Sequence, residues 1–252
     1  MEPILEVSGL TKTFHTEGRD DFTAVNQVSF RLLPGETLGI IGESGCGKST
    51  LAKLLCRLID STEGTIRLCG QDITKAKRKE LAGAYRNVQM VFQDPVSSFD
   101  PRRTLGDGIG ESLRNAGMSK AETEAQVRHL LEQCGLGAEF AGRYPHEVSG
   151  GQCQRAAIAR ALAIQPKILI CDEATSALDV TVQQQIMELL QSLRESSDMS
   201  YLFICHNLAL VQTFCDRLLV MYEGKIVEEG TPDQVIFHPQ SDYTKLLIDS
   251  IL

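Results

Sequence analysis

A glycine-rich segment early in the chain has the residue types needed to hold phosphate. It matches the pattern G-x-x-x-x-G-K-[ST], in which glycines let backbone N–H groups form an anion nest at the start of a helix. Lys48 adds a positive charge for the terminal phosphates, and the Ser49 hydroxyl suits Mg²⁺. We therefore predict that the following residues bind a nucleotide: Gly42, Glu43, Ser44, Gly45, Cys46, Gly47, Lys48, Ser49 and Thr50.

An acidic pair, Asp172 and Glu173, ends the apolar run of residues 168–171. Ligands of open α/β sheets bind at the carboxyl ends of the strands, which makes this pair a candidate for chemistry. We expect Asp172 to hold the Mg²⁺ shell through water and Glu173 to orient or deprotonate an attacking water. The alternative is that the aspartate is an ordinary helix N-cap.

A second candidate anion site consists of Ser149, Gly150, Gly151 and Gln152, just before a predicted helix at residues 154–163. A helix start carries roughly half a positive charge and several unpaired N–H groups. The chain has one phosphate loop, and this second site cannot serve it. The sequence therefore predicts a phosphate-binding helix start with no phosphate of its own to hold.

The flanking elements place the phosphate loop between a strand and a helix. Residues 1–33 alternate apolar and polar positions and predict short antiparallel strands. Residues 37–41 form a continuous apolar run, typical of a fully buried strand. After the loop, one helical face is marked by these apolar residues: Leu51, Leu54, Leu55, Leu58 and Ile59.

Residues 94–154 have a different character and predict a helical insertion. Pro95 and Pro101 bracket a loop, and Ser119 with Glu122 forms a capping box for a helix that stops at Gly135. The α/β alternation then resumes, with strands at 168–171, 201–205 and 217–222 and a helix at 181–195. We predict a discontinuous α/β core, residues 1–93 and 155–252, interrupted by a helical subdomain at residues 94–154.

Composition narrows the function classes. The longest apolar runs are strand-sized, well short of the ~18–20 residues needed to cross a bilayer, and the N-terminus lacks a secretory layout. We expect a soluble, cytoplasmic chain. The net charge of −8 argues against a nucleic-acid groove. Eight cysteines without a C-x-x-C pair, including Cys56, Cys171 and Cys205 in apolar segments, predict buried free thiols.

Taken in order, these motifs resemble the ATP-binding subunit of ABC transporters, and residues 173–179, E-A-T-S-A-L-D, match that family closely. The resemblance implies an α/β fold with a P-loop NTPase (RecA-like) core, an N-terminal antiparallel β subdomain and an inserted α-helical subdomain. It also implies ATP hydrolysis with ATP and Mg²⁺ as cofactors. Two chains would enclose ATP between them, each lending its Ser149–Gln152 segment to the γ-phosphate held by the other.

The resemblance also assigns roles to single residues. Glu173 is the implied catalytic base, His206 contacts the γ-phosphate, and Gln93 senses Mg²⁺ and the attacking water. The implied metal site comprises Ser49, Gln93 and Asp172. The implied nucleotide-binding set adds Phe14, which stacks on adenine, and Asp179, at the end of the acidic motif. Val148 and Asn207 depart from the family's usual leucine and aspartate.

Residues 42–47, 91–102 and 238–247 look like the ATPases of oligopeptide, dipeptide and nickel importers. The resemblance implies a second ATPase subunit, identical or paralogous, two integral-membrane permease subunits and a solute-binding protein. The chain would be peripheral, at the cytoplasmic face of the cell membrane, with no nucleic-acid partner. Chain length leads us to expect nickel or a metallophore as the solute, with peptides as the other candidate.

Two other classes of protein use the same phosphate loop. A small-molecule kinase would not need the segment at 149–152, and it would need an acceptor pocket. A soluble ABC-type ATPase, uncoupled from a permease, would lack the segment at 94–103 that suits a membrane partner.

Cys46 is a further expectation from the sequence. It lies two residues from Lys48 and at a helix start, and both features should favour a reactive thiolate.

Overall fold

The structure is a computed structural model that describes residues 2–15, 18, 20–175 and 178–251. Ser176 and Ala177 of the E-A-T-S-A-L-D segment lie outside the described residues. The strands of the described chain are Leu5–Phe14 (β1), Phe22–Leu32 (β2), Thr37–Ile41 (β3), Glu63–Leu68 (β4), Gln71–Asp72 (β5), Val88–Val91 (β6), Ile168–Asp172 (β7), Ser200–Ile204 (β8), Arg217–Tyr222 (β9) and Lys225–Gly230 (β10). The α-helices are Lys48–Leu55 (α1), Arg78–Asn87 (α2), Leu105–Asn115 (α3), Lys120–Gln133 (α4), Gly150–Leu162 (α5), Val180–Ser196 (α6), Leu208–Phe214 (α7), Pro232–Phe237 (α8) and Asp242–Ile251 (α9). Short 3₁₀ turns at Ala138–Gly142 and Pro145–Glu147 lead into α5.

The N-terminal strands form an antiparallel sheet in the order β2-β1-β4-β5. Val7 of β1 pairs with Phe30 of β2 on one side and with Ile66 of β4 on the other, and all three are buried. The alternating pattern of residues 1–33 therefore predicted β1 and β2 correctly. β4 and β5, which complete this sheet, were not predicted.

The central sheet has the strand order β10-β9-β3-β8-β7-β6. Its neighbouring strands run parallel except for β10, which returns antiparallel to β9. Every residue of β3, β7 and β8 is buried, as the continuous apolar runs predicted. The carboxyl ends of these adjacent parallel strands therefore lie at one edge of the sheet, where the phosphate loop, the acidic pair and His206 all begin.

The two faces of the central sheet pack against different layers because alternate strand residues point to opposite faces. Leu169 and Cys171 of β7 join an apolar cluster with the helical region, α6 and α9. Ile168 and Ile170 join a second cluster with α1 and the N-terminal sheet. The site edge is thus fixed from both sides.

The helical region is built from α3, α4 and α5, which pack against one another. As predicted, Ser119 and Glu122 form a capping box at the start of α4: the Ser119 N–H donates to Glu122 Oε2 at 2.9 Å, and the Glu122 N–H donates to Ser119 Oγ at 3.4 Å. Val127, Leu131 and Cys134 are buried, and Gly135 follows with a φ of +71°. The subdomain boundaries at 93/94 and 154/155 remain predictions.

Candidate active site

The phosphate loop connects β3 to α1 and depends on glycine at two close approaches. Gly47, the N-cap of α1, has a φ of +110°, and a Cβ there would lie 2.1 Å from the Ala24 carbonyl oxygen. Gly42 has a φ of +150°, and its Cβ would lie 2.1 Å from the Met221 carbonyl oxygen. Any side chain at either position would displace the loop from the strands that support it.

Lys48 is 4% exposed, and its ammonium lies within the curve of the loop. Its Nζ donates to the carbonyl oxygens of Gly42 and Glu43, both at 2.7 Å. A buried charge is costly unless it is hydrogen-bonded, and these two carbonyls provide the bonds. The structure therefore holds the cation where the sequence predicts the phosphates.

Ser49 and Asp172 meet at the base of the site, although they are far apart in sequence. The Ser49 hydroxyl donates to Asp172 Oδ1 at 3.0 Å, and Asp172 is 4% exposed. Burial raises the pKa of the Asp172 carboxyl, the Ser49 hydrogen bond lowers it, and the neighbouring Glu173 charge raises it further. Hydroxyl and carboxylate oxygens are ligands that Mg²⁺ prefers, so these residues fit that ion.

Glu173 and Gln93 form the second pair at this edge. Gln93 Nε2 donates to Glu173 Oε2 at 2.7 Å, which links the ends of the adjacent strands β6 and β7. Glu173 has a φ of +48°, in the left-handed region, and its N–H donates to the Ile204 carbonyl at 3.0 Å. Backbone conformations of this kind concentrate at functional sites. The structure thus brings the predicted base and the predicted sensor into direct contact.

A cavity of about 470 Å³ lies beside the phosphate loop. It is lined by Ile41, Gly42, Glu43, Ser44, Lys48, Glu173, His206, Leu208, Leu247 and Ser250. The exposed His206 follows β8, and the next residue, Asn207, caps α7 by accepting from the N–H groups of Ala209 and Leu210 at 3.0 and 3.3 Å. Asn207 therefore acts as the N-cap of α7.

A second cavity, of about 460 Å³, lies on the other side of the loop. Its lining includes Phe22 and Tyr222, neither of which was predicted from the sequence, along with Ser44, Gly45 and Cys46. Phe14 is the cross-strand partner of Phe22; it is 40% exposed, and Lys12 Nζ lies 5.0 Å from its ring centroid. Strand register could have revealed Phe22, because paired residues share a face.

The segment Ser149–Gln152 opens α5 and lies apart from both cavity linings. The Ser149 N–H donates to Gln152 Oε1 at 2.9 Å, and the Gln152 N–H donates to Ser149 Oγ at 3.3 Å, a reciprocal capping box. Ser149 and Gly150 are exposed. A Cβ at Gly151 would lie 2.5 Å from Val182 Cγ1, so the first turn of α5 packs closely against α6. The exposed helix start therefore does not contribute to the cavities beside this chain's own phosphate loop.

Asp179 caps α6 by accepting from the Val182 N–H at 3.0 Å. It is exposed, at the surface where α5 and α6 begin. Its nucleotide-binding role stays a prediction, and the observed contact is that of a helix cap.

The prediction that Cys46 forms a reactive thiolate is wrong. The residue is 8% exposed, and burial raises the pKa of its thiol, although Lys48 acts in the opposite direction. The broader prediction of buried free thiols is confirmed: all eight cysteines are free, and all but Cys69 are buried. Among the described residues no group of histidine, cysteine, aspartate or glutamate side chains is arranged to hold a metal by itself.

Two further contacts were missed from the sequence. Arg160 of α5 donates to the carbonyl oxygen of Ser98 and, at 3.0 Å, to its hydroxyl, and lies 4.3 Å from the Phe99 ring centroid. The N–H of Glu43 donates to the Tyr243 hydroxyl at 3.1 Å. Both join segments far apart in sequence, and no local motif signals them. Within the described helices, none combines the length and the hydropathy that a bilayer crossing requires.

Comparison with known proteins places this site in a family. The family model described as ABC transporter matches residues 25–176. The oligopeptide transport ATP-binding protein OppF of Escherichia coli is 46% identical over 230 residues, which cover 90% of this chain and 69% of that protein. The glutathione import ATP-binding protein GsiA of Salmonella paratyphi A is 46% identical over 257 residues, which cover 99% of this chain and 41% of that protein.

Solved structures agree with these relatives. The ATP-binding cassette MJ0796, in a dimeric post-hydrolysis state with ADP and Pi, superposes with a TM-score of 0.83 at 29% identity and covers 90% of this chain and 98% of its own. CbiO1 from Clostridium perfringens, part of an ABC transporter complex, gives a TM-score of 0.81 at 27% identity. The match covers 94% of this chain and 92% of CbiO1. From the family match, the relatives and the fold, we conclude that this chain belongs to the ABC transporter family and is an ATP-hydrolysing ATP-binding domain of it.

Proposed function

We propose that this chain powers a peptide importer, hydrolysing ATP that is enclosed between two ATPase subunits. The observation that carries the proposal is the cavity in which Lys48, Glu173 and His206 meet, in a chain similar to proteins named for oligopeptide and glutathione import. Chain length led us to expect nickel, but the names of these relatives favour peptides as the solute.

The hydrolytic step follows from the positions of these side chains. Water attacks the γ-phosphorus, a new P–O bond forms, and the bond to the β-phosphate oxygen breaks to release ADP and phosphate. Glu173 accepts the water proton. Its carboxylate is held in place by the hydrogen bond from Gln93 Nε2 at 2.7 Å. Lys48 offsets the charge of the β- and γ-phosphates, and His206 contacts the γ-phosphate from the end of β8.

Mg²⁺ is part of the proposal, because the oxygen donors at the base of the site fit it. Ser49, Asp172 and Gln93 would hold it, with water completing its shell. When bound, it would neutralise negative charge on the β- and γ-phosphate oxygens. The Ser49 hydroxyl is already directed at Asp172, so the protein needs little rearrangement to present both oxygens.

The second half of the proposed site comes from another ATPase subunit, identical or paralogous. Ser149 to Gln152 begin a helix of 13 residues, and their exposed N–H end suits the γ-phosphate held by the partner. In this arrangement Asp179, exposed beside α5, would lie at the same interface. MJ0796, a fold relative, is described as dimeric with ADP and Pi.

The remaining partners follow from the importer proposal. We propose two integral-membrane permease subunits and a solute-binding protein, with this chain peripheral at the cytoplasmic face of the membrane. The subdomain division at 1–93, 94–154 and 155–252 belongs to the same proposal, with residues 94–103 facing the permease. Arg160 of α5, which donates to Ser98 and lies over the Phe99 ring, supports this segment.

Uptake measurements in cells that lack this chain test the proposal. We expect uptake of a labelled oligopeptide to be lost and restored by the parent chain, but not by Glu173→Gln. Nickel uptake should stay unchanged. Loss of nickel uptake alone would contradict the peptide assignment. No change in either uptake, together with a chain that does not fractionate with membranes, would favour the soluble ABC-type ATPase instead.

A further inference from the structure

The C-terminal helix α9 contacts the phosphate loop through one side chain. The N–H of Glu43, the second residue of the loop, donates to the hydroxyl oxygen of Tyr243 at 3.1 Å, across 200 positions of sequence. Glu43 is exposed, so this contact is made on the solvent-exposed part of the loop. The carbonyl oxygens of Gly42 and Glu43 are held separately, because both accept from Lys48 Nζ at 2.7 Å.

Tyr243 is itself held rigidly. Its ring stacks on Tyr222, with the centroids 4.0 Å apart and the planes at 29°. Tyr222 ends β9, and β9 pairs with β3, the strand from which the loop emerges. The neighbouring Thr244 is fully buried, and Leu247 is 5% exposed in the core beneath α9. The hydroxyl is therefore fixed relative to the start of the loop by two independent paths.

Helix α9 also forms one wall of the candidate active site. Leu247 and Ser250 line the 470 Å³ cavity together with Glu173 and His206. The contact of Tyr243 with the loop and the contribution of α9 to the cavity wall thus come from the same rigid element. A shift of this helix would move both together.

We propose that Tyr243 is a positioning residue that holds the phosphate loop in its nucleotide-binding shape. Without the hydroxyl, the Glu43 N–H would bond to water, and the loop around Glu43 would sample more conformations. ATP would then have to order those conformations on binding, which weakens affinity. The hydrolytic groups on β6, β7 and β8 would be untouched, so turnover at saturating ATP would change little.

The protonation state of the tyrosine is compatible with this role. Burial raises the pKa of the Tyr243 hydroxyl above its ordinary value of 10.0, although the Glu43 backbone hydrogen bond lowers it. The hydroxyl is therefore neutral at physiological pH, and its oxygen accepts the hydrogen bond from the Glu43 backbone N–H.

Tyr243→Phe tests the proposal, because it keeps the ring stack and removes the accepting oxygen. We expect the ATP dissociation constant and the KM for ATP to rise about three- to tenfold, as for loss of one ordinary hydrogen bond, with kcat within about twofold. In parallel, the Glu43 amide proton should exchange with solvent faster in nucleotide-free protein, measured by NMR. The matched control is Tyr85→Phe, whose hydroxyl is 3.5 Å from the Arg57 carbonyl, and it should match the parent chain.

Two results would overturn the proposal. If Tyr243→Phe leaves both ATP affinity and Glu43 amide exchange unchanged, the hydroxyl does not position the loop. If the variant binds ATP more tightly, the contact holds the loop away from its binding shape. The inference rests on nucleotide binding by the phosphate loop, whichever solute is carried. Lys48→Ala checks that premise separately: if it still binds ATP, the site assignment fails, independently of Tyr243.

Discussion

At the residue scale, the chemistry concentrates at the ends of three buried parallel strands. Glu173 is the clearest case, because it combines a left-handed backbone, a hydrogen bond from Gln93 and a place in the cavity with Lys48. In the proposed mechanism, these features hold one carboxylate beside the water that would attack the γ-phosphate.

Glu173→Gln should therefore keep ATP binding and lose hydrolysis. The amide has nearly the same shape as the carboxylate but cannot accept the water proton, so the rate should fall by about 10²–10⁴. Phosphate release and equilibrium nucleotide binding measure the two properties. The control is Glu188→Gln, a surface glutamate bonded only to Gln184 Nε2 at 3.1 Å among the contacts described for it. Hydrolysis by Glu173→Gln within twofold of the parent rate would remove Glu173 as the base.

Cysteine labelling should follow burial and not the proximity of Lys48. Cys46 is 8% exposed with a raised pKa, whereas Cys69 is exposed. A maleimide should thus modify Cys69 first, with the ATPase rate preserved, and modify Cys46 at least about tenfold more slowly. Mass spectrometry of the labelled peptides, with Cys69→Ser as the control, measures both rates. Rapid labelling of Cys46 with loss of activity would restore the reactive thiolate expected from the sequence.

At the element scale, α5 joins two functional segments. Its N-cap is Ser149. Near its C-terminus, Arg160 donates to Ser98 and lies over the Phe99 ring, both in the loop that follows Gln93. The guanidinium is buried enough that desolvation lowers its pKa, and it remains charged at neutral pH. One helix therefore connects the segment proposed to face a permease with the segment proposed to face a second ATPase.

Arg160→Lys should weaken this connection while keeping the charge. Lysine cannot present the planar fork that reaches both Ser98 oxygens while stacking on Phe99. We expect the free energy of unfolding, measured in urea, to fall by about 1–3 kcal/mol. Arg128→Lys, at an exposed position of α4, is the control and should leave stability unchanged. An unchanged unfolding midpoint for Arg160→Lys would show that the fork is dispensable.

The elements differ in how far local sequence determines them. The capping box at Ser119 predicts α4, and the apolar run at 37–41 predicts β3, because each signal lies within the element itself. β4 and β5 were missed, because their sequences are largely polar and give little strand pattern of their own. They form strands through pairing of β4 with β1 and of β5 with β4. The motifs also indicated that the phosphate loop, the acidic pair and His206 each follow a strand, and the structure has them at one edge of the central sheet.

The contacts between those site residues could not be predicted in the same way. Gln93 and Glu173 are 80 positions apart, and Glu43 and Tyr243 are 200 apart. Such pairs meet because parallel strands and a C-terminal helix converge in space, and no local pattern carries that information. Burial is similarly non-local, which is why the expectation for the Cys46 thiol was wrong.

At the scale of the whole molecule, our proposal gives the chain one complete and one incomplete phosphate-binding surface. The phosphate loop shares a cavity with Glu173 and His206, whereas Ser149 at the start of α5 is exposed and lies outside both cavity linings. If ATP bridges these surfaces between two chains, nucleotide binding and association are thermodynamically linked. Ser149 would then act on the ATP of another chain.

The association of Glu173→Gln with ATP tests this claim most directly, because that variant should retain the ATP that joins the chains. Light scattering should show the mass double on adding ATP, with Glu173→Gln alone or mixed with a candidate partner ATPase. Adding Ser149→Arg should abolish the doubling while ATP still binds each chain. Ser149→Arg also removes a helix cap, so the control is Ser119→Arg, which removes the matching capping box of α4 and should leave the doubling intact. A Glu173→Gln, Ser149→Arg chain that still doubles its mass with ATP would contradict the account.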